Sequence, residues 1–132
     1  MAVSISDVVA AARQRIREVS PSEVQALTNP DQVLIDVREP AEYASGHLPG
    51  AINLPRGVLE FQIHAHPAMG CSTSEALAAS DRPLVLYCLS GGRAALAADS
   101  LQQLGFSQVS SLAGGITAWR EAGLPVTPGS TD

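Results

Sequence analysis

An apolar run, Leu84-Val85-Leu86-Tyr87, passes through Cys88-Leu89-Ser90-Gly91-Gly92-Arg93 into the helical stretch Arg93 to Leu104. A short run of large apolar residues followed at once by glycines and a helix describes a buried strand that turns sharply into a helix. Such a unit constrains the chain to an α/β architecture, with the strand deep in a sheet and the loop at its carboxyl end. Gly91 and Gly92 let the backbone curl its N–H groups inward, and the helix that follows aims the positive end of its dipole back at the loop. A cysteine held there is expected to favour the thiolate, the reactive form of the side chain. The structural alternative is a cysteine that merely ends a buried strand, a common fate for free cysteine. The company of two glycines, an arginine and a helix start favours the functional reading.

The rest of the chain alternates in the same manner. Gln32 to Val37, Ala51-Ile52-Asn53 and Gln108 to Leu112 read as further strands. Pro40 to Ala44 and Ile116 to Ala122 read as helices, and Leu96, Ala97, Leu101 and Leu104 as the inner face of the helix after the cysteine loop, with Gly105 at its end. Upstream, Val8, Val9, Ala12, Ile16 and Val19 recur at helical spacing, with Arg13, Arg15 and Arg17 on the remaining, solvated faces. Ser20-Pro21-Ser22-Glu23 has the form of a capping box for a short helix running to about Thr28. The connection from Arg56 to Arg82 is the least regular part: a helix start at Gly57 to Ile63, a break at Pro67 to Cys71, and a second capping box at Ser72-Thr73-Ser74-Glu75.

Size and charge bound the function. At 132 residues and 45% hydrophobic, the chain suits one domain around one core. All 8 basic residues are arginines, which excludes lysine Schiff-base chemistry and a Walker-type lysine. The net charge of -5 argues against nucleic acid. There is no apolar stretch of about 20 residues and no signal-peptide pattern, so no membrane partner is expected and a cytoplasmic location is the default. Two cysteines suit a reducing compartment, and a Cys71–Cys88 disulfide cannot be inferred from the sequence. His64, His66 and Cys71 lie close in sequence but lack a fourth ligand, so no metal is assigned. Cys71 is either a resolving thiol or an ordinary loop cysteine.

Three segments together resemble one family. Leu34-Ile35-Asp36-Val37-Arg38-Glu39-Pro40-Ala41-Glu42-Tyr43, continuing through Gly46-His47-Leu48-Pro49-Gly50-Ala51-Ile52-Asn53-Leu54-Pro55, is similar to the first signature of the rhodanese domains. Leu112-Ala113-Gly114-Gly115-Ile116-Thr117-Ala118-Trp119 is similar to their last, and the Cys88 loop lies between in the family's order. The resemblance implies a rhodanese-like three-layer fold: a central, mostly parallel sheet flanked by helices. It implies a domain over residues 19–126, an N-terminal helical extension over 1–18 and a tail over 127–132.

The function implied is that of a thiosulfate:cyanide-type sulfurtransferase. Cys88 would be the catalytic nucleophile, carrying sulfane sulfur as a persulfide between a small anionic donor and a thiol or cyanide acceptor. A protein acceptor of the sulfur is compatible with that chemistry, and no cofactor is required. Leu89, Ser90, Gly91, Gly92 and Arg93 would bind substrate, with Arg93 both pairing with the donor's oxygens and buttressing the loop. Arg56 is a further candidate for attracting the donor, or else a solvated arginine. Asp36, Arg38, Glu39 and Glu42 are expected to form a structural ion-pair network, His47 to fix a turn, and Trp119 to lie in the core. Tyr87 is free to face either way. Two rivals remain: a non-catalytic rhodanese-type binding module, and a cysteine-dependent phosphatase. The phosphatases of the related fold place five residues between cysteine and arginine, where this chain has only Leu89, Ser90, Gly91 and Gly92.

Overall fold

The computed structural model describes residues 2–26, 32–69 and 82–128. Helix α1 (Ile5–Arg13) starts at Ser4, whose hydroxyl accepts from the Asp7 amide at 3.0 Å. The apolar spacing that predicts a helix through Ile16 to Val19 is overridden. The helix stops at Arg13, and Arg17–Val19 forms strand β1. The reason is non-local: β1 gains a backbone ladder against the last strand, and tertiary pairing outweighs local periodicity. Helix α2 (Pro21–Ala26) has the expected reciprocal cap, with Ser20 N–H donating to Glu23 at 3.0 Å and Glu23 N–H to the Ser20 hydroxyl at 3.1 Å. Its expected extension to Thr28 lies outside the described residues.

Strand β2 (Val33–Asp36), helix α3 (Pro40–Ser45), strand β3 (Ile52–Asn53) and helix α4 (Leu59–Gln62) follow, and 3-10 turns continue α4 at Ile63–Ala65 and Pro67–Met69. Cys71 and the capping box at Ser72 to Glu75 also lie outside the described residues. Strand β4 (Leu84–Tyr87), helix α5 (Gly92–Gln103), strand β5 (Val109–Leu112) and helix α6 (Gly115–Glu121) complete the chain.

The five strands pair in parallel in the order β1-β5-β4-β2-β3, which buries β4 at the centre. Side chains alternate across a strand, and β4 uses both faces. Leu84, Leu86 and then Cys88 pack with α5 (Ala94, Ala97, Ala98, Leu101) and with Leu59 and Ile63. Val85 and Tyr87 point to the other side, against Val24, Tyr43, Ile116 and Trp119. The fold is thus a three-layer α/β/α sandwich, and the alternation settles that Tyr87 faces away from Cys88.

The residues of α5 that join the core are Ala94, Ala97, Ala98 and Leu101; of those expected inside, Leu96 is only half-buried and Leu104 is 48% exposed. Leu104 is the C-cap, where the Gly105 and Phe106 amides close back on the carbonyls of Gln102 and Leu101 and turn the chain off the helix axis. Helix α1 lies along α5 on this same side of the sheet. At the other end of the chain, Thr127 pairs with His47 in an antiparallel bridge.

Candidate active site

Cys88 leaves the carboxyl end of the central strand with its side chain buried. The Gly91 amide donates to Sγ at 3.0 Å and the Ala94 amide at 3.4 Å. Gly91 is the N-cap of α5 and sits at φ 117, a left-handed conformation that a side chain disfavours. With Gly92, Arg93 and Ala94 forming the first turn, Sγ occupies the place normally taken by the oxygen of a capping side chain. Two N–H dipoles and the positive end of a helix converge on one sulfur, an arrangement that stabilises negative charge there.

The expected loop residues divide by role. Leu89 and Ser90 form an exposed lip, Gly91 supplies an amide to the sulfur, and Gly92 and Arg93 begin the helix. Ala94 was not among the expected site residues. The signal was the helix phase: α5 starts one residue before Arg93, which makes Ala94 the third helical residue, whose amide is a natural capping donor.

A second helix pins the loop from behind. The amides of Ile116 and Thr117, in the first turn of α6, donate to the carbonyls of Cys88 (2.9 Å) and Leu89 (3.1 Å). Gly115, at φ 60, lies so close that a Cβ there would run into both carbonyl oxygens. The glycine pair in Leu112-Ala113-Gly114-Gly115 therefore fixes the position of the Cys88 peptide.

The surrounding charges are mostly engaged with one another. Arg93 donates through both terminal nitrogens to Glu42 of α3, at 2.8 and 3.2 Å. Chiefly through that contact, the Glu42 carboxyl is held down to about 2. The Glu42 contact is the kind that the buttressing part of the role expected of Arg93 calls for. Asp36 and Arg38 form a buried pair at 2.7 Å, and Arg38 also donates to the Gly46 carbonyl. The Tyr87 hydroxyl accepts from the Leu48 amide at 3.0 Å, and burial, with the Asp36 charge second, pushes its own ionisation far above the usual phenol range. His47 stacks on Tyr43 with centroids 3.9 Å apart, and its Nδ1 lies 3.0 Å from the Tyr43 carbonyl oxygen. Trp119 is buried and donates to the Pro125 carbonyl. These are the structural roles expected for the network, His47 and Trp119.

Arg56 is drawn away from the loop. Its guanidinium meets Glu60 at 2.9 Å, and Glu60 also accepts from Ser100, about two turns along α5 from Arg93. Among the described residues no cluster of three or more His, Cys, Asp or Glu could hold a metal ion, and no helix is long and apolar enough to cross a membrane. A cavity of about 290 Å³, bounded by Arg17, Gln32, Pro83 and Gln108, opens at the amino ends of the strands. It lies at the opposite end of β4 from Cys88.

Comparison with known families matches residues 20–122 to the rhodanese-like domain. The chain belongs to the rhodanese-like family. A sulfurtransferase from Allochromatium vinosum is 38% identical over 96 residues, which cover 73% of this chain and 78% of that protein. The thiosulfate sulfurtransferase GlpE from Ectopseudomonas mendocina is 33% identical over 105 residues, 79% of this chain and 84% of the relative. Among solved structures, a protein of unknown function from Rhodopseudomonas palustris, described as a possible tyrosine phosphatase, superposes with TM-score 0.79 at 32% identity and covers 96% of both chains. The rhodanese-like fold thus extends across the whole alternating pattern, and the cysteine loop lies within the matched residues.

Proposed function

We propose that this rhodanese-like protein is a sulfurtransferase that carries sulfane sulfur as a persulfide on Cys88. The observation that carries the reading is the buried Sγ receiving the Gly91 and Ala94 amides at the start of α5. In the first step the Cys88 thiolate attacks the outer sulfur of a donor such as thiosulfate. The new S–S bond forms as the donor's own S–S bond breaks, and sulfite departs with the electron pair. In the second step an acceptor, cyanide or a cellular thiolate, attacks the outer sulfur of the persulfide, and Cys88 leaves as thiolate. This is covalent catalysis with ping-pong kinetics.

The two amides serve both steps, because Cys88 is the nucleophile in one and the leaving group in the other. A preorganised donor set lowers the barrier wherever charge sits on that sulfur. Leu89 and Ser90 would border the transferred sulfur, and Arg93, tied to Glu42, would hold the loop in shape while adding positive charge. Arg56 would have to leave Glu60 before it could meet a donor, which gives it a lesser part. A reducing compartment such as the cytoplasm would keep Cys88 as the free thiol the chemistry needs.

The phosphatase reading is kept in play by the Rhodopseudomonas palustris structure. The loop length argues against it, since four intervening residues make a tighter ring of amides than five. Incubation with thiosulfate followed by intact-mass measurement should show one added sulfur atom, absent in Cys88→Ser and retained in Cys71→Ser. Hydrolysis of p-nitrophenyl phosphate that is lost in Cys88→Ser, without sulfur loading, would establish the phosphatase instead. Neither activity would indicate a binding module.

A further inference from the structure

We propose that Arg13, from the N-terminal helix α1, is a donor-recognition residue of the Cys88 site that contacts the oxyanion end of the sulfur donor; this rests on the sulfur-transfer reading above. The last turn of α1 reaches the catalytic loop. A Cβ built on Gly91 would lie 3.1 Å from Nη2 of Arg13, and one built on Gly92 would lie 3.9 Å from Cγ2 of Val9. Gly91 is the residue whose amide donates to Sγ at 3.0 Å. Backbone geometry therefore places Nη2 no farther than about 9 Å from the sulfur. That span suits a small dianion whose sulfur end meets Sγ and whose oxygens accept a charge-assisted hydrogen bond of about 2.8 Å from the guanidinium.

The neighbouring cations are committed elsewhere. Arg93 uses two nitrogens on Glu42, Arg15 two on Asp99, and Arg56 one on Glu60. Arg13 has a looser contact: Glu18 lies 3.7 Å from its Nε, with both side chains more than a third exposed. Nη2 is then left against the loop, and residues 88–94 contain no acidic side chain to neutralise it. The missing side chain at Gly91 is what makes room for the guanidinium. Arg13 also precedes the matched residues 20–122, so the contact comes from outside the part of the chain that carries the family match. A planar fork complements the donor's oxyanion end as it binds and holds it equally while sulfite leaves, so the contact contributes binding that reads out in KM.

The test compares Arg13→Gln with Glu18→Gln, because both break the ion pair but only the first removes the cation. Arg13→Gln should raise KM for thiosulfate about three- to fivefold, the size expected of a half-exposed charged contact, with the change in KM rather than kcat. Glu18→Gln should lower KM, and Arg13→Lys should recover part of the loss. A readout independent of sulfur transfer is the alkylation of Cys88 by iodoacetate relative to neutral iodoacetamide, followed by peptide mass. That ratio should fall about threefold in Arg13→Gln and rise in Glu18→Gln. If the two variants move KM and the ratio in the same direction, or Arg13→Gln moves neither, the assignment of Arg13 is wrong. If the wild type takes no sulfur from thiosulfate yet the alkylation ratios diverge as stated, anion recognition by Arg13 stands and the sulfurtransferase reading falls.

Discussion

Replacing Gly115 by alanine should damage both the stability of the protein and its chemistry, and the structure gives the size of each effect. A residue with a side chain at φ 60 costs about 1 kcal/mol of backbone strain. The added Cβ also runs into the carbonyl oxygens of Cys88 and Leu89. Relief requires the loop to move off α6, loosening the Ile116 and Thr117 hydrogen bonds at 2.9 and 3.1 Å. Each such bond is worth about 1 kcal/mol, and a buried carbonyl left without a donor costs about as much again. The total is about 3–5 kcal/mol, a large part of the 5–15 kcal/mol or so that holds a typical domain together.

Gly123 supplies the control. It has φ 77, yet a Cβ there would meet nothing within 4 Å. Gly123→Ala should therefore cost only about 1 kcal/mol of strain, so urea denaturation should separate the two variants by about 2–4 kcal/mol. Sulfur loading, measured by intact mass at early times on native protein, should fall about 100-fold in Gly115→Ala, because displacing Sγ by about 1 Å from the two amides removes their alignment. Loading in Gly123→Ala should match the wild type. The reasoning fails if the two substitutions cost the same, or if the Gly115→Ala protein loads sulfur at the wild-type rate.

Three further outcomes are expected. Arg93→Lys keeps the charge but loses the fork on Glu42, so it should lower kcat/KM for thiosulfate about fivefold; Glu42→Gln should do much the same, and the double variant should be no worse than either, as a double-mutant cycle would show. Because the Glu42 carboxyl titrates at about 2 in the folded protein against an ordinary value of 4.5, its contribution to stability is complete above pH 4.5 and is lost as pH falls toward 2. The gap in Tm between wild type and Glu42→Gln should accordingly be constant from neutral pH to about pH 5 and shrink in more acid solution. Ser111 Oγ is buried in β5 without a hydrogen-bond partner among the described residues, so Ser111→Ala should raise stability by about 1 kcal/mol in urea titration, and a loss of that size would show that the hydroxyl is satisfied.

What could be read from the sequence follows the range of the interactions involved. The strands β2, β4 and β5 announce themselves as short apolar runs because a parallel strand covered on both faces has no polar side to show. The Cys88 loop was legible for a related reason: the strand, glycines and helix start that shape it are contiguous. Its finer electrostatics were not. Ala94 escaped notice through a one-residue error in helix phase, which local sequence does not resolve. The Glu42–Arg93 fork joins residues 51 positions apart, and the α6 amides reach the loop only because β5 lies beside β4. Val19 is the sharpest case, since its spacing from Ile16 suits a helix and only the partner Leu112 makes it a strand.

The same distinction bears on Arg13, which on sequence spacing alone belongs to a solvated helix face. It reaches the site because the end of α1 at Arg13 puts the last turn of that helix over Gly91, while Glu18 in β1 touches only its Nε, at 3.7 Å, and leaves Nη2 against the loop. The edge strand that broke the helical pattern is thus what brings a cation to the mouth of the cysteine loop. A chain lacking the β1 pairing would keep the cradle of amides around Cys88 and lose the guanidinium beside it.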